Sequence, residues 1–286
     1  MRFVSFSKLF SVIIIFAAIG CSPEPKHPDP IILISIDGLR PDYLDRTETP
    51  VLNMLIQNGT IADHLIPIFP TKTFPNHYST ATGLYAENTG IVSNSITDPE
   101  LGRFAMSMRE AVSDARWWGG EPIWVTAEKQ GLRSGTIFWP GSEAPIKGVY
   151  ATNWLQYDGR ITHDARVDTL ISWFQADDKR PLSFATFYLS EVDSYGHRYG
   201  PNSDSVLVAL QEADRTLGYL VSELERIGIW PNVNIIITSD HGMVEVSNDK
   251  VIIIDEIIQM DDVEVYDWSP VAMLQPHPDK VESVFE

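Results

Sequence analysis

Three strongly apolar segments of this sequence run almost directly into acidic clusters, and this pattern limits the folds that the chain can adopt. The pairs of segment and cluster are 31–36 with Asp37, 182–189 with Glu191 and Asp193, and 233–238 with Asp240 and His241. Continuous apolar runs of this length are typical of strands buried on both faces of a parallel sheet. In such sheets the chemistry lies beyond the carboxyl ends of the strands. The pattern therefore predicts acidic side chains gathered at one sheet edge, where a cation would relieve their mutual repulsion.

Helical patterns lie between the predicted strands. Two more apolar runs occupy 135–139 and 251–254, and helical spacing is found at 50–58, 163–174 and 203–227. Strands that alternate with helices predict an α/β fold with a mostly parallel sheet. Because no repeat, low-complexity stretch or linker interrupts residues 31–286, we expect this region to be one domain.

The composition excludes several classes of site. The chain has 286 residues, a formal net charge of −18 and one cysteine. A single cysteine excludes an internal disulfide and a cysteine-rich zinc site. The acid excess argues against binding of nucleic-acid polymers, which requires a basic surface. Metal binding and solubility are both compatible with this charge.

The first 30 residues have the character of an export signal and a tether. Arg2 and Lys8 precede the apolar run 9–19, which is too short to cross a bilayer of about 30 Å and is typical of a signal peptide. Small residues before Cys21 resemble a bacterial lipoprotein processing site. That resemblance implies a signal peptide over 1–20, lipidation of Cys21 and a tether over 21–30. We expect export and a lipid anchor on a bacterial membrane, facing the periplasm; an ordinary signal peptide with an incidental cysteine is the alternative.

The acidic clusters contain histidines at spacings that suit metal binding. Asp193 and His197 are four residues apart, which places both on one helical turn or tight loop. Asp37, Asp240 and His241 supply a second group of ligands. Oxygen and nitrogen ligands without thiolates suit zinc or another divalent transition metal. Each residue taken alone has a plainer interpretation, since a strand-end aspartate often caps a helix and a lone histidine is often structural.

A hydroxyl-rich segment, 70–79, precedes a predicted helix that ends at Gly83. A hydroxyl at a helix N-terminus lies where backbone N–H groups favour an anion such as phosphate. Threonine becomes a useful nucleophile when a base or a metal activates it. The alternative is that Thr71 or Thr73 is only the N-cap of the helix.

Six segments resemble motifs of the nucleotide pyrophosphatase/phosphodiesterase family of the alkaline phosphatase superfamily. They occur in family order within 31–243: Asp37–Arg40, Pro70–Tyr78, Trp117–Trp124, Phe138–Ser142, Asp193–His197 and Ser239–Met243. The resemblance implies an alkaline-phosphatase-like α/β fold, with helices on both faces of a mostly parallel central sheet. It also implies zinc-dependent hydrolysis of phosphodiester or pyrophosphate bonds in small nucleotide-type substrates, through a covalent phospho-threonine.

The resemblance also implies a role for individual residues. Thr73 is the implied nucleophile and a zinc ligand, and Asn94 donates to a phosphoryl oxygen. The implied ligands are Asp37, Asp240 and His241 for the zinc that activates Thr73, and Asp193 and His197 for a second zinc. The aromatic residues implied to flank a nucleobase or similar group are Phe74, Tyr188 and Tyr157, for which core packing is the alternative.

The sequence departs from the family pattern near its end. Family members have a further histidine on the second zinc, in a Gly-x-His-Gly context, whereas His277 here is flanked by prolines. We therefore expect either that the sequence is a fragment or that the second zinc lacks a third protein ligand. Two functional alternatives stay open, a phosphomonoesterase of the same superfamily and a truncated, inactive surface lipoprotein. A nucleoside, choline phosphate or lipid leaving group fits the aromatic residues equally well.

Overall fold

The computed structural model describes residues 28–176 and 179–285. The predicted signal peptide, Cys21 and most of the tether lie outside the described residues, so those assignments stay predictions. No helix in the described ranges has both the length and the apolar character needed to cross a membrane.

The chain alternates strands and helices along most of its length. The strands are β1 (Ile31–Ile36), β2 (Ser95–Asp98), β3 (Gly102–Ala105), β4 (Arg133–Ile137), β5 (Asn153–Leu155), β6 (Leu182–Leu189), β7 (Asn234–Thr238), β8 (Val263–Asp267) and β9 (Met273–Pro276). The helices are α1 (Pro50–Gln57), α2 (Thr73–Thr82), α3 (Ala86–Thr89), α4 (Arg109–Val112), α5 (Ile123–Lys129), α6 (His163–Gln175), α7 (Glu191–Tyr199), α8 (Asp204–Arg226) and α9 (Val281–Phe285). Short 3-10 helices lie at Pro41–Asp45, Ala115–Trp117, Asn248–Lys250, Ile254–Glu256 and Met260–Asp262.

A five-stranded parallel sheet forms the centre of the molecule, in the order β5-β4-β6-β1-β7. Two antiparallel hairpins, β2-β3 and β8-β9, lie apart from it. This architecture confirms the predicted α/β fold with a mostly parallel central sheet. Strand β1 is central, with β6 on one side and β7 on the other.

Successive residues of β1 face two different hydrophobic clusters. Ile32, Ile34 and Ile36 pack with side chains of α1, α6 and α8. Leu33 packs into a cluster that contains side chains of α2 and α5. Because side chains alternate along a strand, the two clusters lie on opposite faces of the sheet. Helices therefore cover both faces, as predicted.

Two strand predictions differ from the structure. The predicted strand 251–254 is wrong: Val251, Ile252 and Ile253 are exposed, and Ile254 begins a 3-10 helix. Its β-branched residues favour a strand, but a strand also needs a paired neighbour, and this segment has none within the described residues. The predicted strand 135–139 begins earlier, at Arg133, and ends at Ile137 because Phe138 turns the chain at a positive φ of 61°.

A carboxylate on α8 caps the start of α1. Pro50 is the first residue of α1, and the preceding Thr49 makes no side-chain cap. The N–H groups of Val51 and Leu52 instead donate to the two carboxylate oxygens of buried Asp214, at 3.2 and 2.7 Å. A residue far along the sequence therefore satisfies helix-start donors that have no partner within the helix.

The substitution Asp214→Ala leaves those two N–H groups without their acceptor. We expect it to lower the free energy of unfolding by about 1–3 kcal/mol, the usual cost of unsatisfied buried donors. Urea denaturation followed by circular dichroism measures the change. Glu225→Ala, at an exposed position on the same helix, is the matched control. Equal stability of the two variants would contradict the capping role.

Candidate metal centre and active site

The acidic clusters predicted from the sequence meet at the carboxyl ends of three adjacent strands. Asp37 directly follows β1, Asp193 lies in the first turn of α7 after β6, and Asp240 and His241 follow β7. Because β6, β1 and β7 are neighbours and parallel, these ends share one sheet edge. The topology confirms the expected gathering of acidic residues.

Gly38 allows two of these strand ends to approach each other closely. It has a φ of +71°, and a Cβ atom at this position would lie 2.9 Å from the Cα of Asp193. The N–H of Asp193 donates to the carbonyl oxygen of Asp37 at 3.0 Å. The N–H of Gly38 donates to Oδ1 of Asp240 at 3.2 Å. The backbone around Gly38 thus ties together the three aspartates that define the site.

Each of these aspartates keeps one buried carboxylate oxygen without a hydrogen-bond partner in the described structure: Asp37 Oδ1, Asp193 Oδ1 and Asp240 Oδ2. Burial and the nearby charge of Asp240 raise the pKa of Asp37 well above its usual value. Burial also raises the pKa of Asp240, although His241 opposes the shift. Unpaired buried carboxylates are unfavourable unless a cation compensates them. The donor set therefore fits a divalent metal.

Two groups of metal-type ligand atoms share Asp37. Asp37, Asp193 and His241 form one group, and Asp37, His77 and Asp240 form the other, with the atoms of each group within 4.8 Å of one another. Five residues thus lie close enough to surround one or more cations. Four of them were predicted from the sequence as metal ligands, and His77 was not.

The His241 ring is oriented toward the aspartates and Thr73. Its Nδ1 lies 2.9 Å from the carbonyl oxygen of Gly242, which assigns the proton to Nδ1. Its Nε2 therefore offers a lone pair, and it lies 3.2 Å from Asp240 Oδ2, 3.6 Å from Asp37 Oδ1 and 3.3 Å from Thr73 Oγ1. Burial lowers the pKa of His241, but the charges of Asp240 and Asp37 outweigh that effect and raise it.

His77 already has a partner at each ring nitrogen. Nδ1 lies 2.8 Å from the carbonyl oxygen of Thr73, and Nε2 lies 2.8 Å from Ser35 Oγ. Burial lowers the pKa of His77, which favours the neutral ring. These contacts support a role in holding the backbone of Thr73. His77 lies four residues after Thr73 in the same helix, which brings the two together, whereas its contact with Ser35 joins segments 42 residues apart.

Thr73 begins α2, and its side chain does not cap the helix. The N-cap residue is Lys72, which makes no side-chain cap, and Thr71 Oγ1 donates to the carbonyl oxygen of Ile68. The alternative that Thr71 or Thr73 serves as a side-chain N-cap is therefore wrong. The Thr73 hydroxyl is instead directed to His241.

Asn94 lies beside Thr73. Its Oδ1 accepts a hydrogen bond of 2.9 Å from the N–H of Phe74. With the carbonyl oxygen engaged in this way, the NH₂ group of Asn94 is the part that can donate to a ligand. The position is compatible with the predicted contact to a phosphoryl oxygen, which stays a prediction.

The predicted ligands of a second metal are less closely gathered. His197 lies on α7 one turn after Asp193, with its Nε2 3.4 Å from Asp193 Oδ1 and its side chain 73% exposed. His277 follows β9, where its N–H donates to the carbonyl oxygen of Asp262. Neither histidine belongs to the ligand groups found among the described residues. A second metal held by Asp193 and His197 stays a prediction.

The three predicted substrate-flanking aromatics lie in different surroundings. Tyr188 is buried, and its hydroxyl donates to Asp37 Oδ2 at 2.6 Å. Phe74 is half-buried, with its ring centroid about 6 Å from those of Phe104 and Trp118. Tyr157 is exposed and packs edge-on against Phe138. Tyr188 therefore holds Asp37, a contact that the sequence did not predict, and flanking of a substrate by any of the three stays a prediction.

Comparison with known proteins defines the class to which this fold and site belong. The family model described as type I phosphodiesterase / nucleotide pyrophosphatase matches residues 31–286. The solved structure of murine ectonucleotide pyrophosphatase/phosphodiesterase 5 superposes with a TM-score of 0.84 at 37% identity, covering 90% of this chain and 68% of that one. The chain belongs to the type I phosphodiesterase / nucleotide pyrophosphatase family.

Curated relatives are similar over most of this chain. Bis(5'-adenosyl)-triphosphatase enpp4 of Xenopus laevis is 38% identical over 279 residues, which are 96% of this chain and 61% of the relative. Venom phosphodiesterase CdcPDE of Crotalus durissus collilineatus is 44% identical over 231 residues, which are 80% of this chain and 28% of the relative. The chain thus spans between about a quarter and three fifths of the length of these relatives.

The substitution Asp37→Asn tests two properties of the site, the repulsion between its carboxylates and its capacity to bind a metal. We expect the metal-free variant to melt at a higher temperature than metal-free wild type, because one of the crowded negative charges is gone. We also expect zinc to stabilise wild type, by about 2.7 kcal/mol at 100 times its dissociation constant, and to leave the variant nearly unchanged.

Thermal unfolding in EDTA and in zinc measures both effects. Asp255→Asn, which neutralises an exposed carboxylate, is the control and should respond to zinc as wild type does. A zinc-induced increase in melting temperature of Asp37→Asn as large as that of wild type would contradict the metal site.

Proposed function

We propose that this protein hydrolyses phosphodiester or pyrophosphate bonds of nucleotide-type substrates in a zinc-dependent reaction, through a covalent phospho-threonine on Thr73. The observation that carries the proposal is the position of the Thr73 hydroxyl. It lies at the start of α2, 3.3 Å from His241 Nε2, and that nitrogen lies within 3.6 Å of oxygens of Asp37 and Asp240 that have no hydrogen-bond partner among the described residues.

The names of similar proteins support this substrate class. The Xenopus relative is called a bis(5'-adenosyl)-triphosphatase. A second structure of the murine protein is that of an inactive threonine-to-alanine variant in complex with AMP, and its chain is 36% identical to this one. These descriptions belong to the relatives, and they favour a nucleotide over a choline or lipid phosphodiester as the first substrate to test.

Asp37, Asp240, His241 and Thr73 would hold one zinc, and Asp193 and His197 would hold a second. Bound zinc supplies a Lewis acid that activates hydroxyl groups and neutralises charge on the leaving oxygen. The protein's own contribution is orientation: His77 holds the backbone of Thr73.

The proposed reaction has two steps. In the first step, Thr73 Oγ1 releases its proton to solvent and forms a bond to phosphorus, while the bond between phosphorus and the leaving oxygen breaks and the leaving group departs with the electron pair. In the second step, the oxygen of a water molecule forms a bond to the same phosphorus and loses a proton, while the bond to Thr73 Oγ1 breaks and Thr73 Oγ1 takes up a proton. During both steps, the NH₂ group of Asn94 and the N-terminus of α2 stabilise the charge on the non-bridging oxygens.

The substitution Thr73→Ala removes the nucleophile and leaves three protein ligands at the first zinc. We expect hydrolysis of an aryl nucleotide phosphodiester to fall to background, while the zinc content measured by atomic emission stays near that of wild type. Thr71→Ala is the matched control, because its hydroxyl contacts the Ile68 carbonyl oxygen, and it should keep wild-type activity. Retained turnover in Thr73→Ala would remove Thr73 from the nucleophile role.

The same assay distinguishes the alternative activities. The proposal requires faster hydrolysis of an aryl phosphodiester than of an aryl phosphomonoester under equal conditions. The reverse preference would support a phosphomonoesterase of the same superfamily. Zinc-loaded wild type without turnover of either compound would support the inactive surface lipoprotein.

A further inference from the structure

A buried lysine lies directly behind the proposed nucleophile. The side chain of Lys72 is 1% exposed, and its Nζ forms an ion pair with Oδ2 of Asp267. The same Nζ donates to Ser93 Oγ at 3.2 Å. Ser93, which is also buried, donates from Oγ to Asp267 Oδ2 at 2.6 Å. Lys72, Ser93 and Asp267 thus form a closed polar triad that the proposed chemistry does not use.

Two members of this triad directly precede residues with proposed catalytic roles. Lys72 precedes Thr73, and Ser93 precedes Asn94. Thr73 and Asn94 come from separate segments of the chain, and the hydrogen bond from the N–H of Phe74 to Asn94 Oδ1 joins these segments on the other side. The backbones of the proposed nucleophile and of the proposed phosphoryl-contacting residue are therefore each linked to the same carboxylate of Asp267.

Asp267 is supplied by a distant part of the chain. It is the last residue of β8 and lies 195 positions after Lys72. Its other carboxylate oxygen, Oδ1, accepts from the N–H of Trp268 at 2.8 Å, which fixes the carboxylate against its own turn. The two oxygens of the carboxylate are therefore held by different partners, Oδ1 by the N–H of Trp268 and Oδ2 by Lys72 and Ser93.

The buried ammonium group of Lys72 needs the charge of the Asp267 carboxylate. An ammonium group that is withdrawn from water needs a compensating charge and hydrogen bonds. Without Asp267, Lys72 would have to move toward solvent or attract other groups. Either movement would displace the backbone at the start of α2, where Thr73 lies. A displacement of about 1 Å in an active site can reduce the rate by about 100-fold.

We propose that Asp267 is a positioning residue for the reaction, which sets Thr73 and Asn94 relative to each other through Lys72 and Ser93. This inference rests on the proposed function for its kinetic consequence and on the triad for its structural one. Asp267 does not contact the substrate in this role and acts only through Lys72 and Ser93.

The test compares Asp267→Asn with Asp267→Glu and with the control Glu264→Gln, which changes an exposed carboxylate on the same strand. For zinc-loaded protein and an aryl nucleotide phosphodiester, we expect Asp267→Asn to lower kcat by 10- to 100-fold, with KM and zinc content within about threefold of wild type. Asp267→Glu should recover part of kcat, and Glu264→Gln should match wild type.

A double-mutant cycle isolates the ion pair. Lys72→Met and Asp267→Asn each remove one charged partner, and we expect the double variant to lose no more than the worse single variant, because both act through one contact. Losses in kcat that multiply in the double variant would overturn the proposed connection. A wild-type kcat for Asp267→Asn would do the same.

A crystal structure of Asp267→Asn gives a readout that does not depend on activity. We expect Lys72 Nζ to leave Ser93 and the hydrogen bond between Phe74 N and Asn94 Oδ1 to lengthen beyond 3.5 Å. Unchanged positions of Thr73 and Asn94 would overturn the positioning role even if wild type hydrolyses the substrate. A wild type without turnover would overturn the proposed function, and the crystal structure would still decide the positioning role.

Discussion

The repulsion between three closely spaced carboxylates at adjacent strand ends, those of buried Asp37 and Asp240 and of half-buried Asp193, is the constraint on which the rest of the site depends. Parallel pairing of β1 with β6 and β7 forces Asp37, Asp193 and Asp240 to one edge of the sheet. The raised pKa of Asp37 reflects the resulting burial and crowding. A cation that compensates this charge would stabilise the folded protein at neutral pH, so the fold favours metal binding at this edge of the sheet.

In Asp37 and Asp240, one carboxylate oxygen accepts a hydrogen bond from the protein and the other does not. Tyr188 occupies one oxygen of Asp37, and the N–H of Gly38 occupies one oxygen of Asp240. The remaining oxygen of each carboxylate is left for a cation. Partners of this kind orient metal ligands, and their mutation typically lowers metal affinity or activity by about 10- to 100-fold. In the proposed role, Asp267 likewise orients the nucleophile Thr73, through its contacts with Lys72 and Ser93.

The sequence predicted the features that depend on local patterns. The runs 31–36 and 182–189 are long and apolar enough to specify buried strands, and their acidic ends follow from chain order alone. The run 251–254 is similarly apolar but has no neighbouring strand in the described structure, so its composition alone was not sufficient to predict a strand. The contacts of His77 with Ser35, of Tyr188 with Asp37 and of Asp267 with Lys72 connect residues that are distant in the chain. No spacing rule encodes such contacts, and the two hairpins were likewise absent from the predicted elements.

The proposed reaction requires Thr73 to form a covalent bond to phosphorus during turnover. Rapid acid quenching of the zinc-loaded protein with a nucleotide phosphodiester, followed by mass spectrometry, detects such a bond. We expect a nucleotidyl group attached to Thr73 Oγ1 that appears within one turnover and disappears when the substrate is exhausted. Full turnover with no adduct at any time, or with an adduct at another residue, would contradict it.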